Sequence, residues 1–136
     1  MYLADLSFDE KKIFLGLAHV IARTNGVYEE TEKEVLVQFE KEMSLDEDLD
    51  EVVREFEGSD IESCLSSVES LQSRRIIFME ALILVYANDH FDDAQKEIVD
   101  RMCDACRIDR RLYSLMAEWA QNMLSLNRQG RALIEI

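Results

Sequence analysis

The sequence predicts an all-α, single-domain bundle of about seven helices, and three observations predict it. The 136 residues include no proline and only four glycines, at 16, 26, 58 and 130, so little interrupts a helical backbone. Apolar residues recur three and four apart along most of the chain, which is the spacing of one helix face. Residues 15–46 can also be laid on residues 78–109 at a constant offset of 63 without a gap, pairing Ala18 with Ala81, Asn25 with Asn88, Lys33 with Lys96, Glu34 with Glu97 and Asp46 with Asp109. Apolar positions keep pace, because Leu15, Val20, Tyr28, Val35, Phe39 and Met43 meet Phe78, Ile83, Phe91, Ile98, Met102 and Cys106. Each copy reads as helix, short acidic turn, helix, and the repeat units span about 8–46 and 73–109.

The elements follow in order. Ser7 and Glu10 form a capping-box pattern that opens a first helix carrying Ile13, Phe14, Leu17, Val20 and Ile21. Asn25-Gly26 ends it, since glycine adopts the left-handed conformation of a helix C-terminus at little cost. Glu29 with Glu32 opens the second helix, where negative charge suits the positive end of the helix dipole, and Val35, Leu36, Phe39 and Met43 are its core face. Asp46 is expected to cap a short third helix through Leu49, Val52, Val53 and Phe56, stopped by Gly58. Ser59 with Glu62 is a capping box for a fourth through Ile61, Leu65, Val68 and Leu71. Ser73 precedes the fifth, whose Ile76, Ile77, Met79, Leu82, Ile83 and Val85 cover almost every face, so it is the expected buried centre. Asp92 with Gln95 caps the sixth helix, and Asp109 caps the seventh, which carries Leu112, Leu115, Met116, Trp119 and Met123. The tail, 128–136, holds Ala132, Leu133, Ile134 and Ile136 after Gly130. It is expected to pack on the body, with a swapped tail or docking segment as the alternative.

Bulk composition narrows the function. A chain of this length with 48% hydrophobic residues can bury a core without metal or disulfide support. Its longest near-continuous apolar run, Ala81 to Ala87, is far below the roughly 20 residues of a bilayer crossing, and no basic stretch precedes an apolar core at the N-terminus. Three cysteines make no disulfide framework. A soluble, cytoplasmic protein without membrane insertion is the expectation. The net charge of −14, from 15 basic and 29 acidic residues, argues against a nucleic-acid partner. Acidity is dense at 46–57 and 89–93, where a solvated surface is the plain reading and a basic protein partner or cations are the others.

The two turns carry a family resemblance. Asn25-Gly26-Val27-Tyr28-Glu29-Glu30-Thr31-Glu32 and Asn88-Asp89-His90-Phe91-Asp92-Asp93-Ala94-Gln95 follow one phrase: an apolar helix ending in a tight turn, an apolar residue, a cap, and an acid opening the next helix. This pattern resembles the TerB-like family, named for a bacterial tellurite-resistance protein, with Gly26, Tyr28, Glu29 and Glu32 matching in the first copy and Phe91 and Asp92 in the second. The resemblance covers roughly residues 8–125. It implies a duplicated all-α scaffold, a bacterial stress-response setting, a protein partner in some cases associated with membranes, and a divalent cation held by turn carboxylates. Carried onto this chain, that ligand set is Glu29, Glu32, Asp89, Asp92 and Asp93. Asn25, Asn88 and Gln95 stand where the family supplies acids, and Asp89 stands in place of the glycine. Helix capping alone also accounts for the same carboxylates.

Other chemistry-bearing residues are read against the repeat. Cys103-Asp-Ala-Cys106 lies late in its helix, away from the N-terminal dipole that activates a redox thiol, and offset pairing puts Cys106 opposite core Met43 and Cys103 opposite surface Glu40. Zinc would need further ligands from Cys64, His19 or His90. His19 pairs with Leu82 and reads as a core or boundary histidine, while His90 reads as a solvated loop histidine among acids. Trp119 with Met102, Met116 and Met123 reads as a core stripe, or alternatively as a partner groove. No nucleophile, base and orienting group assemble, so no catalytic residue or cofactor is assigned. The expected function is a non-enzymatic acidic interaction module with a protein partner or a homodimer, and divalent-cation binding is the runner-up.

Overall fold

In a computed structural model the described residues are 1–24, 29–87 and 92–136, without the side chains of 29–32. They form a short 3-10 turn, Leu3–Asp5, and seven helices: α1 (Phe8–Thr24), α2 (Glu29–Glu42), α3 (Leu49–Glu55), α4 (Ile61–Leu65), α5 (Leu71–Tyr86), α6 (Asp93–Ala105) and α7 (Arg110–Glu135). No strand occurs among the described residues. The all-α reading therefore holds for them.

Side-chain caps set most of the helix starts. Before α1 the capping box closes in both directions, with the Ser7 N–H donating to Glu10 Oε1 at 2.8 Å and the Glu10 N–H donating to Ser7 Oγ at 3.3 Å. Asp92 accepts from the Gln95 N–H and Asp109 from the Leu112 N–H, both at 2.9 Å, as the sequence predicts. Three caps differ from expectation. Asp48, not Asp46, accepts from the Asp50 N–H before α3, Asp60, not Ser59, accepts from the Ser63 N–H before α4, and Ser70, not Ser73, accepts from the Ser73 N–H before α5. Each displaced cap had an equally suitable side chain one to three residues away. α4 accordingly ends at Leu65, while Leu71 opens α5 and is exposed.

Two helices, rather than one, make the centre. α1 is buried continuously from Ile13 to His19 and packs against α2, α3, α4 and α5. α5 packs against α1, α6, α7 and the 3-10 turn, and α4 lies against α6. Phe14 meets Phe39 edge-on at 5.1 Å, and Phe78 meets Tyr113 at 5.9 Å. The α1–α3 contact is tight because Gly16 faces Phe56, and a Cβ at residue 16 would sit 2.3 Å from the Phe56 ring.

The same local geometry recurs 63 residues along the chain. At the end of α2 the Met43 N–H donates to the Phe39 carbonyl, the Leu45 N–H donates to the Glu40 carbonyl, and Ser44 takes a left-handed φ of 52°. At the end of α6 the Cys106 N–H donates to the Met102 carbonyl, the Ile108 N–H to the Cys103 carbonyl, and Arg107 takes φ 56°. Both ends satisfy otherwise orphaned carbonyls in the same way. Both do so without glycine in the left-handed position, where a non-glycine residue is uncommon.

One carboxylate sits badly in this arrangement. Burial, together with Asp46, Asp48 and Glu47 nearby, raises the Glu40 carboxyl above its ordinary value, and its Oε2 has no hydrogen-bond partner. A carboxyl whose proton is held more tightly in the folded state contributes stability below the ordinary carboxylate range and loses it as pH rises through the raised value. Glu40→Gln is therefore expected to be more stable than the parent at pH 7, by less than about 1 kcal/mol. In urea titrations the difference should vanish when the pH is brought below the ordinary carboxylate range.

α7 is the longest element, at 26 residues or about 39 Å of helix. Its first half buries Met116 and Ala120 against the body. The tail expected to fold back does not do so: 128–135 continue the helix outward, and Leu133 and Ile134 are exposed. Gly130 is tolerated there with open space around it, since one glycine costs a helix only about 1 kcal/mol.

Candidate functional site

The acidic turns come first because the sequence singles them out. Asp89, with Asn88 and His90, lies outside the described residues, as do Asn25 and the side chains of Glu29 and Glu32. Asp92 is exposed and caps α6, and Asp93 is exposed in the first turn of that helix. Gln95 is buried, and its Oε1 has no hydrogen-bond partner. Among the described residues no group of three or more His, Cys, Asp or Glu side chains is placed to hold a metal ion.

The cysteines lie in the core. Cys64, Cys103 and Cys106 are all free and buried. Cys103, expected at the surface by its pairing with Glu40, is fully buried, and its thiol donates to the Ile108 carbonyl at 3.1 Å. The repeat misplaces it because α6 packs on both α4 and α5, whereas the main packing of α2 is on α1. Burial pushes the thiols of Cys64 and Cys103 up, and it takes that of Cys106 up to about 12. A buried thiol held in its protonated form is a poor nucleophile at neutral pH.

His19 is buried at the edge of a cleft between α1, α2 and α3, of about 240 Å³. Leu36, Leu49 and Val53 give the cleft its apolar lining, and Arg23, Lys33 and Arg54 stand against Asp50 and Glu57 around it. Among the described residues, both cations and carboxylates border the cleft.

A different surface is built on α7. Leu115, Trp119, Asn122, Leu126, Gln129 and Leu133 follow one another at steps of four and three, which places them on one face of the helix. Leu115 and Leu126 are each 65% exposed and Leu133 is 72% exposed. Trp119 is half-buried beside the Tyr2 ring, whose centroid is 6.1 Å away. Tyr2 is fixed in turn by α5: its N–H donates to Glu80 Oε1 at 2.7 Å, and the Met1 amino group pairs with Glu80 at 3.0 Å and with Glu42. Glu80 is 4% exposed, so a buried carboxylate anchors exposed Tyr2 beside half-buried Trp119. Between Glu118 and Glu135 this helix carries no acid, but it does carry Arg128 and Arg131.

The sequence reading places Trp119, Met116 and Met123 in a core stripe, and Met116 is indeed buried. It misses Leu126 and Leu133 as part of the outer face, and it misses Glu80 entirely. The available signals were the gap in acidity from 119 to 134 and the single carboxylate in the otherwise apolar run of residues 76–87. Comparison with family models, curated proteins and solved structures gives no match for this chain.

Proposed function

We propose that the protein is a non-enzymatic helical interaction module that meets its protein partner through the outer face of α7. The observation that carries this reading is the stripe of Leu115, Leu126 and Leu133, exposed on a rigid helix beside the Tyr2–Trp119 pair. Monomeric proteins rarely leave contiguous apolar surface uncovered, and Trp and Tyr are enriched where binding energy concentrates. The rest of the surface, dominated by acids, suits solubility and repels acidic neighbours.

Two further inferences belong to the same reading. The matching helix ends 63 residues apart support an internal duplication of a helix–turn–helix unit. Together with the turn pattern, they support the TerB-like resemblance and its bacterial stress-response setting. Among the described residues no helix is long and apolar enough to cross a membrane, and three buried free thiols suit the reducing cytoplasm. The resemblance also implies a divalent cation at Glu29, Glu32, Asp89, Asp92 and Asp93, in favour of which Asp92 and Asp93 stand exposed together at the start of α6. Calorimetric titration with calcium, magnesium, manganese and zinc that gave neither heat nor a shift in melting temperature would remove that part.

The interaction reading is tested by placing a photo-crosslinking residue at position 126 in the cell that makes the protein, with position 51 on the acidic surface as control. A discrete adduct from 126 that is missing from 51 is the expected result. Equal or absent labelling at both positions would refute the reading.

A further inference from the structure

We propose that the cleft between α1, α2 and α3 binds a small zwitterion with an apolar side chain, of the class of the free aliphatic α-amino acids. None of its described lining residues lies on α7, so the site stands or falls apart from the interaction reading above.

The cleft arises from packing. α2 and α3 both pack on α1, whereas the described contacts between α2 and α3 are few, and the gap between them lies over α1. Residues three and four apart share one face of a helix, and each wall presents such pairs to the gap. His19 with Arg23 comes from α1, and Lys33 with Leu36 from α2. α3 brings Leu49 with Val53 and Asp50 with Arg54, and Glu57 follows just past its end. Leu36 is buried and Leu49 and Val53 are half-buried, whereas the five charged side chains are exposed. An aliphatic floor under a charged rim results.

Among the described residues the rim carries both signs, on different walls. Arg23 and Lys33 stand on α1 and α2, and both carboxylates, Asp50 and Glu57, stand on the α3 side with Arg54 between them in sequence. A simple anion there would face Asp50 and Glu57, and a simple cation would face Arg23 and Lys33. A molecule that bears a carboxylate and an ammonium group meets complementary charge on both sides. Arg23 keeps any other partner it has, because a guanidinium offers five N–H donors.

Size and lining choose the rest of the ligand. A volume of about 240 Å³ is the space of roughly eight waters at about 30 Å³ each, which suits a molecule the size of valine or leucine and lies below the range of drug-sized pockets. The described floor residues are all aliphatic, so a branched aliphatic side chain is the apolar group that matches them. Because the charged contacts are made at an exposed rim, binding is weak, with a Kd of about 0.1–1 mM. The bound ligand joins α2 and α3 to α1 and so raises the melting temperature.

With the full chain, calorimetric titration with free leucine is expected to give that affinity, together with a rise in melting temperature. Leucinamide, which lacks the carboxylate, N-acetyl-leucine, which lacks the ammonium group, and glycine, which lacks the side chain, are each expected to bind at least about tenfold more weakly. Lys33→Gln and Asp50→Asn should each weaken leucine binding at least about threefold, with unchanged helical circular dichroism because both side chains are exposed. Neither heat nor a shift in melting temperature with leucine at about 20 mM overturns the proposal. So does leucinamide, N-acetyl-leucine or glycine binding as tightly as leucine, or an affinity for leucine that both variants retain.

Discussion

Gly16→Leu is expected to destabilise the protein by about 3 kcal/mol or more, because the new side chain must displace the Phe56 ring from a position that even a Cβ would approach to 2.3 Å. Gly16 lies inside α1, where leucine would raise helix propensity by less than about 1 kcal/mol. That gain is smaller than the clash. The ring cannot retreat freely, since Phe56 closes the end of α3 against α1. Urea denaturation should show a lower midpoint for Gly16→Leu at an unchanged slope. Adding Phe56→Ala should recover part of the loss, so that the double variant is less destabilised than the sum of its singles. Additive effects would mean that the two residues are not in contact, and the α1–α3 packing described above would be wrong.

Glu80→Ala is expected to cost about 3 kcal/mol and, beyond that, to disturb the outer face of α7. Removing the carboxylate leaves the Tyr2 N–H and the Met1 amino group without their buried acceptor and opens a cavity in the central helix. Glu80→Gln keeps an acceptor at the same place and should lose less than half as much. Because Tyr2 lies against Trp119, the sole tryptophan, the emission of Trp119 should change in Glu80→Ala and stay near the parent's in Glu80→Gln. Equal melting temperatures for the two variants would show that the retained acceptor and the filled volume contribute nothing, leaving the loss of the negative charge as the whole effect.

The helices were legible where one capping residue had no competitor. Ser7 with Glu10, Asp92 and Asp109 cap as the sequence predicts. Asp46, Ser59 and Ser73 do not, because Asp48, Asp60 and Ser70 offer the same chemistry within three residues, and apolar spacing cannot resolve shifts that small. Cys103 was not legible as to burial: its repeat partner Glu40 is partly exposed, and only the placement of α4 over α6 separates the two. Glu80 depends on a contact with residues nearly eighty positions away, which no local pattern encodes. The distal half of α7 was hidden for a simpler reason. Gly130 was read as a boundary, whereas the helix passes through it.

The central claim is that the outer face of α7, with Trp119 in it, is where this protein makes contact. Photo-crosslinking from position 126 in the cell that makes the protein, with and without Leu133→Gln, is the most direct measurement. The account predicts a discrete adduct from position 126 that Leu133→Gln weakens and that position 51 does not give. Equal or absent labelling at 126 and 51, or an adduct that Leu133→Gln leaves unchanged, would contradict it.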